Sequence, residues 1–182
     1  MRVIAGTSRG RRLASFKGRD VRPTPDRVRE ALFSILQSRL GDFSGLRVLD
    51  LFSGSGALAI EALSRGALTA SLVENAPQSE KIIRENLERC QLIDRAQITC
   101  RDAFRALHDF SPGSFDLIFL DPPYGSKLAE RAISEISRQG ILRQQGTLCA
   151  ETGADEALPE KIGHLQIFDQ RRYGSVMIHF LM

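Results

Sequence analysis

Apolar residues along this chain follow two alternating patterns. Short apolar runs, typical of buried strands, occupy residues 47–51, 69–73, 96–99, 115–120 and 146–151. Apolar positions at helical spacing fill the intervals 57–65, 77–90, 103–108 and 127–139. A further helix is predicted before the first strand, with Thr24 as its cap, Pro25 at its first position and Gly41 after its end. Strands that alternate with helices predict a parallel, doubly wound sheet with right-handed crossovers.

The last part of the chain changes pattern. Two strand-like runs, 165–170 and 175–181, flank a short loop with Gly174, which predicts an antiparallel hairpin at one edge of the sheet. We therefore expect an α/β fold with a Rossmann-like doubly wound sheet of about seven strands in the order 3-2-1-4-5-7-6, with strand 7 antiparallel. No repeat or long linker interrupts the chain, so residues 1–182 are predicted to form a single domain.

Positive charge is concentrated near the amino terminus. Residues 1–29 hold nine basic and two acidic residues, a charge of +7, whereas the whole chain carries only +3. Interleaved glycines predict that residues 1–21 form a basic hairpin or extended arm in front of a catalytic core over residues 22–182. An exposed ribbon of this kind suits a polyanionic partner such as nucleic acid. A solvated basic face is the alternative.

Several classes of protein are excluded or disfavoured by composition. No run approaches the roughly 18 apolar residues of a membrane span, and the first residues lack the apolar core and cleavage site of a signal peptide. We therefore expect a cytoplasmic protein. The three cysteines and three histidines show no metal-ligand spacing, so no metal site is predicted.

The first candidate site is the glycine loop that follows the first strand. Asp50 ends that strand, and Gly54 and Gly56 allow a tight turn and a close approach of ligand to the backbone. The loop also fits the GxGxxA fingerprint of dinucleotide binding, and Glu74, about 20 residues later, can accept ribose hydroxyls. NAD is therefore an alternative ligand for this loop. A tight turn that binds no ligand is a second alternative. Asp50 favours a ligand with an ammonium or sulfonium group over a pyrophosphate.

The second candidate site is Asp121-Pro122-Pro123-Tyr124, which follows the fourth strand. Two prolines cannot continue a sheet ladder, so the strand ends in a stiff loop with a carboxylate, main-chain carbonyls and an aromatic face. Such a loop can hold a flat group that bears an –NH2, although it can also merely end a strand. In the expected strand order the two loops follow adjacent strands and face one crevice.

These motifs resemble those of the S-adenosylmethionine-dependent amino-methyltransferases, in particular the family that methylates guanine N2 in 16S ribosomal RNA. The resemblance covers nearly the whole chain and rests on residues 1–6 with the basic arm, Arg22-Pro23-Thr24, residues 48–56, residues 121–124 and Arg172-Tyr173-Gly174. It implies a cofactor site at Asp50, Phe52, Ser53, Gly54, Gly56, Glu74, Asp102 and Thr24. It implies a target-base site at Asp121, Pro122, Pro123 and Tyr124. It implies RNA contacts at Arg9, Arg11, Arg12, Arg22, Arg171, Arg172 and Tyr173.

The reaction that the resemblance implies is methylation of the exocyclic N2 of a guanine. Asp121 and the carbonyl of Pro122 would accept the two N–H bonds of that amine, and Tyr124 would stack on the base. The expected partner is ribosomal RNA, either free or within a 30S subunit or assembly intermediate, with a monomeric enzyme and no membrane.

Other functions remain open at this stage. A DNA adenine methyltransferase, or one that acts on another RNA, shares the two loops, because Asp121 can accept from either amino group. The DNA enzymes usually carry an additional target-recognition segment, for which this chain has little room. An NAD-dependent oxidoreductase and a non-catalytic RNA-binding module are more distant alternatives.

Overall fold

The computed structural model describes residues 1–16, 26–125 and 127–182, and these residues form one sheet of eight strands. The strands are β1 (Arg47–Leu51), β2 (Thr69–Glu74), β3 (Ala96–Cys100), β4 (Phe115–Leu120), β5 (Leu142–Gly153), β6 (Lys161–Ile162), β7 (Leu165–Tyr173) and β8 (Val176–Leu181). Their spatial order is β3-β2-β1-β4-β5-β8-β7-β6. The first five strands are parallel, and β8 runs antiparallel to both β5 and β7.

The helices are α1 (Asp26–Leu40), α2 (Ala57–Ser64), α3 (Pro77–Cys90), α4 (Ala103–Leu107) and α5 (Leu128–Gln139), with a 3₁₀ turn at Ile93–Arg95. They cover both faces of the sheet. α1, α2 and α3 pack on one face, in a core that includes Phe33 of α1 and Phe119 of β4, whose ring centroids are 5.7 Å apart. α4 and α5 pack on the other face against Leu49, Ile118 and their neighbours. In the described part of the chain, no helix has the length and apolar character of a membrane span.

The predicted strand order is confirmed, with one addition at the edge. β6 was not predicted, because a strand of two residues has no readable alternation. β5 begins at Leu142 rather than at Gly146, because a register shift against β4 and a left-handed Gln145 (φ 68°) interrupt the apolar pattern without ending the strand. The predicted cap Thr24 and first residue Pro25 of α1 lie outside the described residues.

The amino-terminal residues form the expected hairpin, but it is not an exposed ribbon. Val3 and Arg11 pair across it, with the Val3 N–H donating to the Arg11 carbonyl at 3.0 Å. One side is packed against the body, where Val3 and Leu13 are buried. The fully buried carboxylate of Glu61 on α2 accepts the N–H groups of Ile4 and Ala5 at 2.7 and 3.0 Å. Apolar residues interleaved with the arginines therefore make the hairpin part of the core.

The turn of the hairpin lies beside the amino ends of the parallel strands, where α2 ends. We call this side of the sheet its amino edge, and the side at the carboxyl ends of the parallel strands its carboxyl edge. The Thr7 N–H donates to the carbonyl of Ser64, the last residue of α2, at 2.8 Å. The hydroxyl of Ser8 donates to the carbonyl of Cys90, the last residue of α3, at 3.0 Å. Helices that follow parallel strands run back across the sheet, so this turn lies at the opposite edge from the loops that follow β1 and β4.

Candidate active site at the carboxyl edge of the sheet

The two candidate loops lie side by side because β1 and β4 are paired. Leu51 and Leu120, at the ends of these strands, are partners in the parallel register. The Asp121 N–H points to the carbonyl of Leu51 at 3.5 Å. The glycine loop and residues 121–124 therefore start from adjacent positions at the carboxyl edge, which is where ligands bind in doubly wound sheets.

The glycine loop is a tight turn held by its own backbone and by Ser53. The Ser53 hydroxyl donates to the carbonyls of Asp50 and Val73, and the Gly56 N–H donates to the Ser53 carbonyl at 2.7 Å. Phe52 has a left-handed backbone (φ 60°), which is unusual for an aromatic residue and typical of functional loops.

The two glycines of this loop do different things. A Cβ at Gly56 would lie 3.1 Å from Leu72 Cδ2, a tight contact from which Leu72 would have to shift, and the φ of 76° at Gly56 also favours glycine. A Cβ at Gly54 would meet no atom within 4 Å, so the backbone there faces open space. A ligand can therefore approach the chain closely at Gly54.

Asp50 and Glu74 put two carboxylates beside this loop. Asp50 is buried and accepts the Ala59 N–H at 3.1 Å. Burial raises the pKa of Asp50 to about 7, and the charge of Glu74 adds to the rise. Glu74 accepts the Gly54 N–H at 2.9 Å with one oxygen and the Asn75 N–H at 2.9 Å with the other. A carboxylate has further lone pairs, so these bonds leave room for ribose hydroxyls.

Asp102 lies where β3 meets α4, on the same edge. It caps α4 by accepting the Arg105 N–H at 3.0 Å. Two residues further on, the ring of Phe104 meets that of Phe52 edge-on, with centroids 6.4 Å apart, and the Arg131 guanidinium lies over the Phe104 ring, 3.9 Å from its centroid. Phe104 was missed by the sequence analysis, because a lone aromatic residue in a short helix gives no signal of its own.

The Asp-Pro-Pro-Tyr loop presents a carboxylate with altered acidity. The pKa of Asp121 is raised well above its usual range, first by burial and then by the charges of Glu151 and Asp50. Pro122 is buried, whereas Pro123 and Tyr124 are exposed. Asp50 and Asp121 are therefore close enough for the charge of one carboxylate to raise the pKa of the other.

Glu151, near the end of β5, is a second residue that the sequence analysis missed. It is buried, and its carboxylate accepts a hydrogen bond from the Tyr124 hydroxyl. The Tyr124 ring also lies beside Gly153, close enough that a Cβ there would be 3.9 Å from the ring. Strand β5 thus holds the side chain of Tyr124 in place through Glu151 and Gly153. The sequence signal that could have identified Glu151 is a charged residue in an otherwise apolar, buried stretch of strand.

The predicted RNA-binding residues fall into two groups. The turn between β7 and β8 lies at the carboxyl edge, because Val176 pairs with Gly153 at the end of β5. There Arg171 pairs with Asp169 at 3.0 Å, Arg172 donates to the Gly174 carbonyl at 3.2 Å, and Tyr173 packs against the core.

The second group lies on the hairpin. Arg9 and Arg12 are exposed, whereas the Arg11 guanidinium donates to the Arg89 carbonyl and to Gln91 Oε1 at the end of α3. Arg11 therefore helps to dock the hairpin, and this contact could not be read from its position in a basic run. Arg22 and Thr24 lie outside the described residues.

The residues of the cleft fit a positively charged cofactor. Asp50, Glu74 and Asp121 are brought together, and the raised pKa values of Asp50 and Asp121 mean that an added cation would stabilise their ionised forms. The open space at Gly54 gives such a ligand access to the backbone. Within the described ranges, no group of acidic, histidine or cysteine side chains is suited to hold a metal ion.

A doubly wound sheet with these two loops at adjacent strand ends defines a Rossmann-like methyltransferase. The whole chain, residues 1–182, matches the model of the family described as Conserved hypothetical protein 95. The chain belongs to this family, and relatives named ribosomal RNA small subunit methyltransferase D match most of its length.

Individual relatives agree with this membership. The chain is 34% identical over 161 residues to the Haemophilus influenzae protein named ribosomal RNA small subunit methyltransferase D, covering 87% of this chain and 81% of the relative. It is 31% identical over 176 residues to the Escherichia coli K12 protein of the same name, covering 97% and 86%.

Solved structures show the same fold. An Escherichia coli structure superposes with a TM-score of 0.86 at 31% identity, covering 100% of this chain and 96% of the other. A protein solved with bound SAH superposes with a TM-score of 0.64 at 20% identity, covering 85% of this chain and 48% of the other, and this likeness is one of fold alone.

The altered acidity of Asp50 predicts that cofactor affinity depends on pH. A cation binds the ionised carboxylate, so below a pKa of about 7 binding must first remove a proton. Affinity for S-adenosylhomocysteine, which carries an ammonium group, should rise by up to about tenfold per pH unit from pH ~5 to ~7 and then level off. Isothermal titration calorimetry across this range measures the effect.

The Asp50→Asn variant is the control for this assignment. It should bind S-adenosylhomocysteine more weakly, and its affinity should change much less with pH between pH ~5 and ~7. An identical slope in the variant and the unsubstituted protein would assign the dependence elsewhere.

Proposed function

We propose that this protein transfers a methyl group from S-adenosylmethionine to the exocyclic N2 of a guanine in 16S ribosomal RNA. The observation that carries the proposal is the placement of the Asp50 glycine loop beside the Asp121–Tyr124 loop, joined by the pairing of Leu51 with Leu120. The cofactor is S-adenosylmethionine, the methyl donor of this class of enzyme. Ribosomal RNA is the substrate that the names of the relatives give.

The cofactor would lie along the carboxyl ends of β1, β2 and β3. We assign Asp50 to its ammonium group, Glu74 to the ribose hydroxyls and Asp102 to the adenine amino group. Phe52, Ser53, Gly54 and Gly56 shape the turn that receives the methionine end, and Thr24 keeps its predicted role in this site. When bound, the cofactor supplies a methyl group already activated by the positive sulfonium.

The target amine would be held by residues 121–124. The N2 of guanine is a weak nucleophile because its lone pair is delocalised into the ring. Asp121 and the Pro122 carbonyl can accept its two N–H bonds, which directs the lone pair toward the methyl group. Alignment of this kind can lower a barrier by about 7–11 kcal/mol.

Tyr124 provides the face on which the base stacks. Stacking on an aromatic side chain contributes roughly 1–3 kcal/mol per base. The hydrogen bond from the Tyr124 hydroxyl to Glu151 and the contact with Gly153 hold the ring in one orientation before the base arrives. Less conformational freedom is then lost on binding.

The N2 proton has an acceptor within the same loop. Methyl transfer forms the N–C bond, breaks the S–C bond and releases one proton from N2. A carboxylate whose pKa is raised by burial, as at Asp121, takes up that proton more readily than an ordinary aspartate.

The RNA would reach the cleft past the β7–β8 turn. Arg171, Arg172 and Tyr173 lie at the same edge as Tyr124, so they can contact the nucleotides next to the target. Arg9 and Arg12 on the hairpin, and Arg22, would contact phosphates farther along the strand. The target base must leave its stack to enter the cleft, which favours an unpaired or flipped nucleotide. We expect a cytoplasmic monomer that acts on ribosomal RNA, either free or within a 30S subunit or assembly intermediate.

Replacing the carboxylate at residue 121 tests the proposal. With 30S subunits from cells that lack this protein, the purified enzyme should form N2-methylguanosine in 16S RNA, detected by mass spectrometry of nucleosides. Asp121→Asn should lower kcat by about 10²–10⁴-fold while RNA binding is retained, because an amide cannot take up the N2 proton and can turn its own N–H groups toward the amine.

Asp94→Asn is a matched control, because Asp94 is exposed on the 3₁₀ turn before β3. It should be fully active. Full activity in Asp121→Asn would refute the role of the loop, and N6-methyladenosine as the product would favour the adenine alternative.

The salt dependence of RNA binding tests the role of the hairpin. Each neutralised phosphate contributes about 0.7–0.9 to the slope of log affinity against log salt. Replacing both Arg9 and Arg12 by glutamine should therefore reduce this slope by about 1.4–1.8, as measured by filter binding at several salt concentrations. Arg11→Gln should leave the slope nearly unchanged, since Arg11 is bound to the end of α3. An unchanged slope in the double variant would contradict the proposed role.

A further inference from the structure

Asn86 of α3 joins two segments that the proposed function uses separately. It is fully buried, and its carboxamide is bonded on both sides. Its Oδ1 accepts the Ala14 N–H at 2.7 Å, and its Nδ2 donates to the Ala14 carbonyl at 3.0 Å. The same Nδ2 donates to the Ser55 carbonyl, inside the glycine loop, at 2.9 Å. One side chain thus bonds the backbone of the hairpin and that of the cofactor loop.

The bonds of Asn86 make the positions of the two segments depend on each other. All three are made by a carboxamide that is shut away from water, where a lost partner is not replaced by solvent. If the hairpin lifted at Ala14, Asn86 would lose two partners and would be free to turn away from Ser55. If the glycine loop moved at Ser55, the remaining donor of Asn86 would be left buried without its acceptor.

The other anchors of the hairpin do not reach the glycine loop in this way. Glu61 bonds Ile4, Ala5 and Arg65. Ser64 accepts the Ser8 N–H at 2.9 Å and donates to the Ala5 carbonyl at 2.6 Å. Both act at the opposite end of the hairpin, toward the amino edge of the sheet. They fix the hairpin to α2, whereas Asn86 fixes it to the loop that faces the cofactor.

We propose that Asn86 is a positioning residue that couples RNA binding on the hairpin to cofactor binding at the glycine loop. The inference rests on the proposed function, in which the hairpin contacts RNA and the glycine loop receives the cofactor. RNA that stabilises the docked hairpin also holds Asn86 against Ser55, and so holds the loop in its binding conformation. By reciprocity, cofactor in the loop stabilises the docked hairpin, and each ligand raises the affinity for the other by the same factor.

The experiment measures this factor directly. Affinity for S-adenosylhomocysteine is determined by calorimetry for the protein alone and for the protein saturated with 30S subunits from cells that lack it. In the unsubstituted protein the ratio of the two affinities should lie between about 5 and 150. In Asn86→Ala the ratio should fall to about 1. The S-adenosylhomocysteine affinity of the protein alone should change less than the ratio does.

Ser64→Ala is the matched control, because it loosens the hairpin without touching the loop. It should weaken RNA binding but keep the ratio of the unsubstituted protein. If Asn86→Ala does not fold, as judged by thermal melting, Ala14→Pro removes the donor on the hairpin side and leaves the bond to Ser55; its ratio should also fall.

Three results would overturn the inference. A ratio near 1 in the unsubstituted protein, with both ligands bound, would refute the coupling and leave the proposed function intact. If the ratio of the two S-adenosylhomocysteine affinities fell as much in Ser64→Ala as in Asn86→Ala, the effect would come from general loosening of the hairpin. Absence of binding of both ligands to the unsubstituted protein would refute the proposed function and this inference together.

Discussion

The parallel pairing of β1 with β4 is the constraint on which the rest of the structure depends. It places the buried carboxyl ends of the two strands side by side, so that two chain segments about 70 residues apart, Leu51-Phe52 and Leu120-Asp121, begin their loops at the same place. Each loop is ordinary by itself. A glycine turn receives many ligands, and a proline-rich turn ends many strands. Their adjacency gives one cleft, in which the proposed function puts a charged donor on one side and a planar amine on the other.

The electrostatics of this cleft follow from placing acids close together at a partly buried edge. Asp50, Glu74, Asp121 and Glu151 surround it, and burial and mutual repulsion raise the pKa values of Asp50 and Asp121. Such a site is destabilised as long as it holds no positive charge. A ligand with ammonium and sulfonium groups relieves the repulsion, and a pyrophosphate would increase it. The same acids therefore favour the methyl donor over a dinucleotide.

Much of the fold was readable from the sequence, because strands β1 to β5 and the helices between them show clean periodicities with glycine or proline near their ends. The strand order followed from topology rather than from any single residue. Features that depend on tertiary contacts were missed: the two-residue β6, the bulged start of β5, and the packing of the amino-terminal hairpin through Val3 and Leu13.

In the candidate site, too, residues in local motifs were predictable, whereas residues that act through tertiary contacts were not. Asp50, Gly54, Gly56 and Asp121 stand in motifs with a recognisable spacing, so their proximity was predictable. Glu151, Phe104 and Asn86 stand in no motif, and their importance comes from what they touch: a tyrosine hydroxyl, a neighbouring ring and two backbone segments. Arg11 shows the reverse case. A basic run suggests phosphate contacts for every arginine in it, yet this one bonds the end of a helix. Contacts across the fold, rather than local composition, decide such roles.

The most direct test of the central claim is a crystal structure of the complex with S-adenosylhomocysteine. The account predicts that the sulfur lies between the turn at Gly54 and Gly56 and the loop at Asp121–Tyr124, with the amino group toward Asp50 and the ribose hydroxyls on Glu74. A complex in which the sulfur faces away from Asp121, or in which the ligand avoids the carboxyl ends of β1 and β4, would contradict it.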